Sequence, residues 1–294
     1  MVIKELSKGV IAGVLFMYLF VGATYADAPR KHITIAVFPC TDVVMSFKKF
    51  HPLITYLKEE TGLDIRLGVP KDSAEFERAM KIGDIDFAFQ DPHMYVRLAH
   101  LYDRGSLIRA LTREGKTSQS GVVIVRKGSG ISKLEDLKGK TVMFGPKLSA
   151  AKWVAARELF EESNIDIDKD LRAYSHGGCC EDIAFSVFLK AVDAGVVCDH
   201  FLDEHIRKQQ ELGVDVEQIV IVCRTKSIPK RVFAASKEIS NDIVAEVNQA
   251  LLKLDKKEPA HAKILYRAEL GGFQKLKDED YDGKRMLKNV KTAE

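Results

Sequence analysis

The strongest constraint in this sequence is the alternation of strand and helix signals along its first hundred residues. Ile33-Thr34-Ile35-Ala36-Val37-Phe38 is a β-branched run that stops at Pro39. Residues 47–60 place Phe47, Phe50, Ile54 and Leu57 at helical spacing, and Thr61-Gly62 closes the segment, as glycine commonly does just past a helix. Residues 64–69 alternate with period two and stop at Pro70. Ser73 is the expected N-cap of a helix through Met80, and Ile85-Asp86-Phe87-Ala88-Phe89 is a third strand. A β-α-β-α-β order requires a parallel sheet covered by helices. Such sheets take ligands at the carboxyl ends of their strands, which is where Pro39-Cys40-Thr41 and Gln90-Asp91-Pro92-His93 fall.

A second block of the same kind follows. Residues 121–125 are a strand, 134–140 a short helix and turn, and Thr141-Val142-Met143-Phe144 a strand. Gly145-Pro146 turns the chain and Ser149 opens a helix through Glu162. Residues 171–174 are a weak strand, 182–190 a helix, 194–198 a strand and 219–223 the last clear strand. Helices over 241–254 and from Pro259 end the pattern. Two such blocks predict an α/β protein of two lobes, each a mixed sheet flanked by helices, with a ligand cleft between them. The expected division is 27–120 for the first part of lobe one, 121–222 for lobe two and 223–294 for the return, with crossings at the strands 121–125 and 219–223. Hinge closure around a ligand is a known mode for this architecture.

Residues 1–26 read as a secretory signal: Lys4 and Lys8, an uncharged apolar stretch from Gly9, then Thr24-Tyr25-Ala26 before Asp27. The expected location is periplasmic, with an uncleaved membrane anchor as the alternative, since the apolar stretch is barely long enough to span. The formal net charge is +3, and removing the signal with Lys4, Lys8 and Glu5 leaves +2. With no long basic run, the sequence carries no footprint for nucleic acid. The five cysteines are Cys40, Cys179, Cys180, Cys198 and Cys223. Their spacing fits neither a zinc nor a haem framework, so no metal or cofactor is expected.

Four stretches carry a family resemblance: LITYLKEETGL from Leu53, KIGDIDFAFQDPHMY from Lys81, ISKLEDLKGKTVMF from Ile131, and Val192-Asp193-Ala194-Gly195. Together they resemble the periplasmic phosphonate/phosphite/phosphate-binding (PhnD-like) family, of type II periplasmic-binding fold, along most of the chain beyond the signal. The resemblance implies a monomeric, non-enzymatic solute binder that serves an ABC permease, with a sensor kinase as the alternative partner. It also implies an oxyanion held by hydroxyls and N–H groups at a helix start, where unpaired donors and partial positive charge coincide. Tyr95, Ser149 with the N–H of Ala150, and Asp199 match the family's Tyr, helix start and acid. His93 is a further candidate in the loop expected after Pro92. The helix start reads Ser149-Ala150-Ala151-Lys152, with one hydroxyl where the family shows several. Glu181 stands where the family has a His, which leaves His176 only by a different chain path.

Cys40, Cys179 and Cys198 follow or end strands and Cys180 adjoins Cys179, so several thiols can converge on the cleft. Soft thiolates favour a thiophilic ligand, a soft metal or a metalloid such as arsenite, which has a precedent among relatives of this family. The competing readings are buried core thiols, Cys223 above all, and a structural disulfide of Cys40 with Cys179 or Cys198. A cysteine enzyme with Cys179 or Cys180 as nucleophile and His176 as base is disfavoured, because the neighbours are glycines and acids. Trp153 and Phe38 read as core, and His200, Asp203, Glu204 and His205 as a solvated helix face.

Overall fold

The computed structural model describes residues 32–38, 43–103, 105–147, 149–201 and 215–276. The expected signal segment, Cys40, Thr41, and the group Asp203, Glu204 and His205 lie outside the described residues.

The expected β-α-β-α-β opening is present. Strand β1 (Ile33–Val37) pairs in parallel with β2 (Ile65–Gly68) and with β3 (Phe87–Gln90). The crossover helices are α1 (Val43–Thr61) and α2 (Ser73–Lys81). Helix α1 buries Phe50, Leu53, Ile54 and Leu57 as one stripe, and ends where Gly62 takes a φ of 69° and donates its N–H to Lys58 O at 2.8 Å. Phe47 does not join that stripe; it is exposed and packs on His51 one turn on. The cap of α2 is Asp72, not Ser73. Its extended backbone lets the carboxylate accept Glu75 N–H at 2.8 Å, while Ser73 already has helical geometry.

Three strands of the first sheet were not expected from the sequence: β4 (Ile108–Leu111), β12 (Val232–Ala235) and β13 (Gly272–Lys275). They complete a six-stranded sheet of order β13-β4-β12-β3-β1-β2. Strand β12 runs antiparallel between β3 and β4 and is buried throughout, so its four residues show no alternation to read. One face is covered by α1, α6 (Asn241–Lys253) and α7 (Pro259–Ala268) through residues such as Leu57, Val247 and Leu265. The other face packs Phe76, Met94 and Tyr95.

The second sheet has five strands in the order β10-β6-β9-β7-β8, with β6 at Gly121–Arg126, β7 at Thr141–Phe144, β8 at Ala173–His176, β9 at Ala194–Cys198 and β10 at Ile219–Arg224. Strand β6 buries both faces: Val122 and Ile124 meet Ile183 and Val187 of α5 (Cys180–Phe188), while Val123 and Val125 join Phe144 and Phe160. Strands β6 and β10 pair with each other inside this sheet. The chain passes between the sheets just outside them, where β5 (Ser118–Gln119) and β11 (Ile228–Pro229) form a two-stranded antiparallel ribbon. Every strand of the second sheet therefore lies between the two halves of that ribbon in sequence. Among the described residues, no helix is long and apolar enough to cross a membrane.

Candidate functional site

A cleft of about 110 Å³ opens where both lobes and the crossing meet. Lys49, Asp91 and Glu269 line it from the first lobe, Ser149, Lys152, Cys180, Glu181, Cys198 and His200 from the second, and Gln119, Lys230 and Arg231 at the crossing. Its first wall is set by a local sequence device. Asp91 ends β3 and caps the short helix α3 (Pro92–Arg97), with Pro92 at the first helical position, where the missing N–H costs nothing. The expected loop at His93 and Tyr95 is therefore helix. The Asp91 carboxylate, 5% exposed, accepts the N–H of His93 at 3.2 Å and, from the other lobe, the N–H of Ala150 at 3.2 Å. Burial raises its pKa, against the pull of Arg231, these two N–H groups and Lys152.

The second wall starts at Ser149, whose hydroxyl accepts Lys152 N–H at 3.3 Å. The helix begins with one wide turn, Ala150–Val154, in which Val154 N–H reaches back to Ser149 O at 3.1 Å, and then runs as α4 (Ala155–Glu162). That turn carries Lys152 into the interior. Its stem lies against Gly145, where a Cβ would meet the lysine Cβ at 2.4 Å, so the glycine after β7 is a matter of space. Lys152 is 4% exposed and its ammonium donates to Gly178 O at 2.8 Å. Lys230 is 6% exposed and donates to Gln119 Oε1 at 3.0 Å across the ribbon. Lys49 is ion-paired with Glu269.

The thiols come together on this wall. Cys179 caps α5, its sulfur accepting Asp182 N–H at 3.4 Å, and Cys180 is the first residue of that helix. Cys180 Sγ accepts the N–H of Cys198, at the end of β9, at 3.3 Å. The hydrogen bond from the Cys198 thiol lowers the Cys180 pKa, aided by the Lys152 charge, while the Cys198 thiol moves up. Burial pushes Cys179 up to about 12. Cys179, Cys180, Cys198 and Cys223 are free thiols; the partner expected for a disulfide, Cys40, is outside the described residues. Among the described residues, no three His, Cys, Asp or Glu side chains are placed to hold a metal ion.

The family model for ABC transporter, phosphonate, periplasmic substrate-binding protein matches residues 35–281. The chain belongs to this phosphonate-binding family. It is 24% identical over 292 residues to the phosphate-import protein PhnD of Mycolicibacterium smegmatis, covering 92% of this chain and 89% of that protein. A second relative, the tetrathionate sensor histidine kinase TtrS of Salmonella typhimurium, is 23% identical over 193 residues, which is 62% of this chain and 33% of the kinase. Among solved structures, PhnD1 of Prochlorococcus marinus in complex with methylphosphonate superposes with a TM-score of 0.77 at 14% identity, covering 89% of this chain and 98% of that one. The two-lobed type II architecture is thus that of the phosphonate-binding family.

The candidate residues picked out from the sequence are not all gathered at the cleft. Ser149, Cys180 and Glu181 line it together. Ala150 adjoins it through the N–H given to Asp91. Asp199 sits between the lining residues Cys198 and His200 and accepts the N–H of Ser120 at 2.9 Å. Tyr95 is buried in the first lobe, its ring stacked on Tyr102. His93 is 1% exposed with no partner on either ring nitrogen, and burial lowers its pKa to about 4. His176 bonds Gly145 O at 2.7 Å through Nδ1 and packs on the edge of Trp153 at 4.5 Å, within the second lobe's aromatic cluster. Lys152, Lys230 and Arg231 were not singled out from the sequence, and Asp91 only as part of the strand-end segment Gln90-Asp91-Pro92-His93. Only Asp91 had a local signal, an acid before a proline at a strand end; the three cations meet through chain crossings that no window shows.

Proposed function

We propose that this protein is the exported solute-binding component of an ABC uptake system and that it takes a small oxyanion of the phosphonate, phosphite or phosphate kind into the inter-lobe cleft. The observation that carries this is the gathering of Lys152, Lys230 and Arg231 with Ser149 in the lining of one cleft. Cations gathered beside a helix start suit an anion, and the ligand would bridge the lobes by taking over the Ala150 N–H that Asp91 holds. The phosphate and methylphosphonate named for the relatives fit this chemistry. An ABC permease is the partner and the chain acts as a monomer. Isothermal titration of methylphosphonate, phosphite and phosphate tests the reading. A 1:1 heat with at least one of them, lost in Lys152→Met, supports it; no heat from any oxyanion sinks it.

A second reading has a specific observation behind it. Asp91 already takes the Ala150 N–H, and the Cys180–Cys198 pair faces the same space. That combination suits a thiophilic ligand such as arsenite, and a sensing role beside a kinase, in line with the partial likeness to a sensor histidine kinase. Arsenite heat that disappears in Cys180→Ser, with none from phosphonates, selects this reading. A hydrolytic role is disfavoured, since His176 is bonded to Gly145 O and packed on Trp153.

A further inference from the structure

Cys180 and Cys198 belong to different elements, the start of α5 and the end of β9, and the fold brings them into one wall of the cleft. The Cys180 sulfur lies 3.3 Å from the main-chain nitrogen of Cys198, two bonds from that residue's Cβ. Closing the bond asks the two side chains to rotate toward each other. Cys179 is committed elsewhere, as the cap that receives Asp182 N–H. We propose that Cys180 and Cys198 are an oxidisable pair, converted by a small-molecule disulfide into an intramolecular disulfide that raises the affinity of the cleft for anions.

The chemistry balances without any further reactant. The Cys180 thiolate attacks one sulfur of the small disulfide, forming a mixed disulfide and expelling one thiolate, which takes up the proton Cys180 gave to solvent. Cys198 then loses its proton and attacks the Cys180 sulfur, expelling the second thiolate. Two protein thiols are oxidised by two electrons, and the small disulfide is reduced to two thiols. Cys180 is suited to the first attack: it sits at a helix start, receives a hydrogen bond from the Cys198 thiol and feels the Lys152 ammonium, all of which favour the thiolate.

The effect on anions follows from charge. A Cys180 thiolate in the dithiol state would hold its charge near Lys152, which lines the same cleft. The disulfide carries none, so it removes a negative charge that would compete with a bound anion for the Lys152 field. This half rests on the oxyanion reading of the cleft; the pairing itself does not.

The test uses the full chain and oxidised glutathione. After equilibration, free thiols are alkylated and the protein is digested without reductant for mass mapping. The expected product is a cross-linked peptide pair joining 180 to 198. In Cys198→Ser, glutathione is expected to stay attached at 180 for want of the resolving thiol. Alkylation of both cysteines with no cross-link, or pairing of Cys180 with Cys40 or Cys179, overturns the pair. Methylphosphonate titration of both forms is expected to show about tenfold tighter binding in the disulfide state, the scale of one charge at a half-buried site. Equal affinities overturn the regulatory half. A mapped 180–198 cross-link with no methylphosphonate heat in either form sinks the oxyanion reading and its redox control while the pair stands.

Discussion

Asp91 holds two helix starts with one carboxylate, its own at His93 N–H and the second lobe's at Ala150 N–H. An anionic ligand at Ser149–Ala150 has to share or displace that contact. Asp91→Asn keeps an acceptor and removes the charge, so methylphosphonate is expected to bind it several-fold more tightly than the native chain by titration calorimetry. Buried histidines make a second prediction at this scale. Burial lowers both His93 and His200 to about 4, with the Arg97 and Lys230 charges adding to it. The unfolded chain, with imidazoles near 6.5, binds more protons than the folded one between those values. Stability from these two groups is present above pH 6.5 and is lost as pH falls toward 4, by on the order of 2–3 kcal/mol for buried His93 and less for His200, whose side chain is partly exposed beside Asp199. Melting curves from pH 7 to 4.5 should show this fall, flattened in His93→Gln; an unchanged melting point would count against neutral burial. The sequence placed Asp91 and His93 at a strand end; their burial and the Ala150 N–H were not legible, because those partners come from distant segments.

At the scale of elements, the helix at Ser149 shows how much a short motif can give. Its start was legible from one hydroxyl after a turn, and its wide first turn was not, since nothing in Ala150-Ala151-Lys152-Trp153 distinguishes a five-residue from a four-residue bond. Losing the Ser149 hydroxyl in Ser149→Ala should cost about 1 kcal/mol by denaturant melts and weaken oxyanion binding. Helix α5 is positioned by an absence of side chain. A Cβ at Gly195 of β9 would meet Ile183 Cγ2 at 2.5 Å and Val187 Cγ2 at 3.0 Å. Gly195→Val is expected to lift α5 from the sheet, cost about 1–3 kcal/mol, and separate Cys180 from Cys198. The measurable consequence is loss of the 180–198 cross-link under conditions that form it in the native chain.

At the scale of the whole molecule, the opening β-α-β-α-β and the second α/β block were legible because their periodicities are local. The missing strands β4, β12 and β13 were not: β12 is four residues long, and its partners Phe89 and Ile108 come from far earlier in the chain. The strands of the second sheet, by contrast, all fall in one stretch of sequence between Gly121 and Arg224, with buried clusters on both sheet faces. A fragment of residues 119–227 is therefore expected to melt cooperatively by circular dichroism, whereas the first lobe needs both of its segments. A fragment without a cooperative transition would show that the lobes are energetically one. The paired ribbon of β5 and β11 adds a mechanical consequence. Two tethers laced edge to edge are expected to bend and twist together. If the proposed ligand draws the lobes together, dyes placed on the exposed Val44 and Leu189 would turn this protein into a ratiometric optical reporter of that ligand.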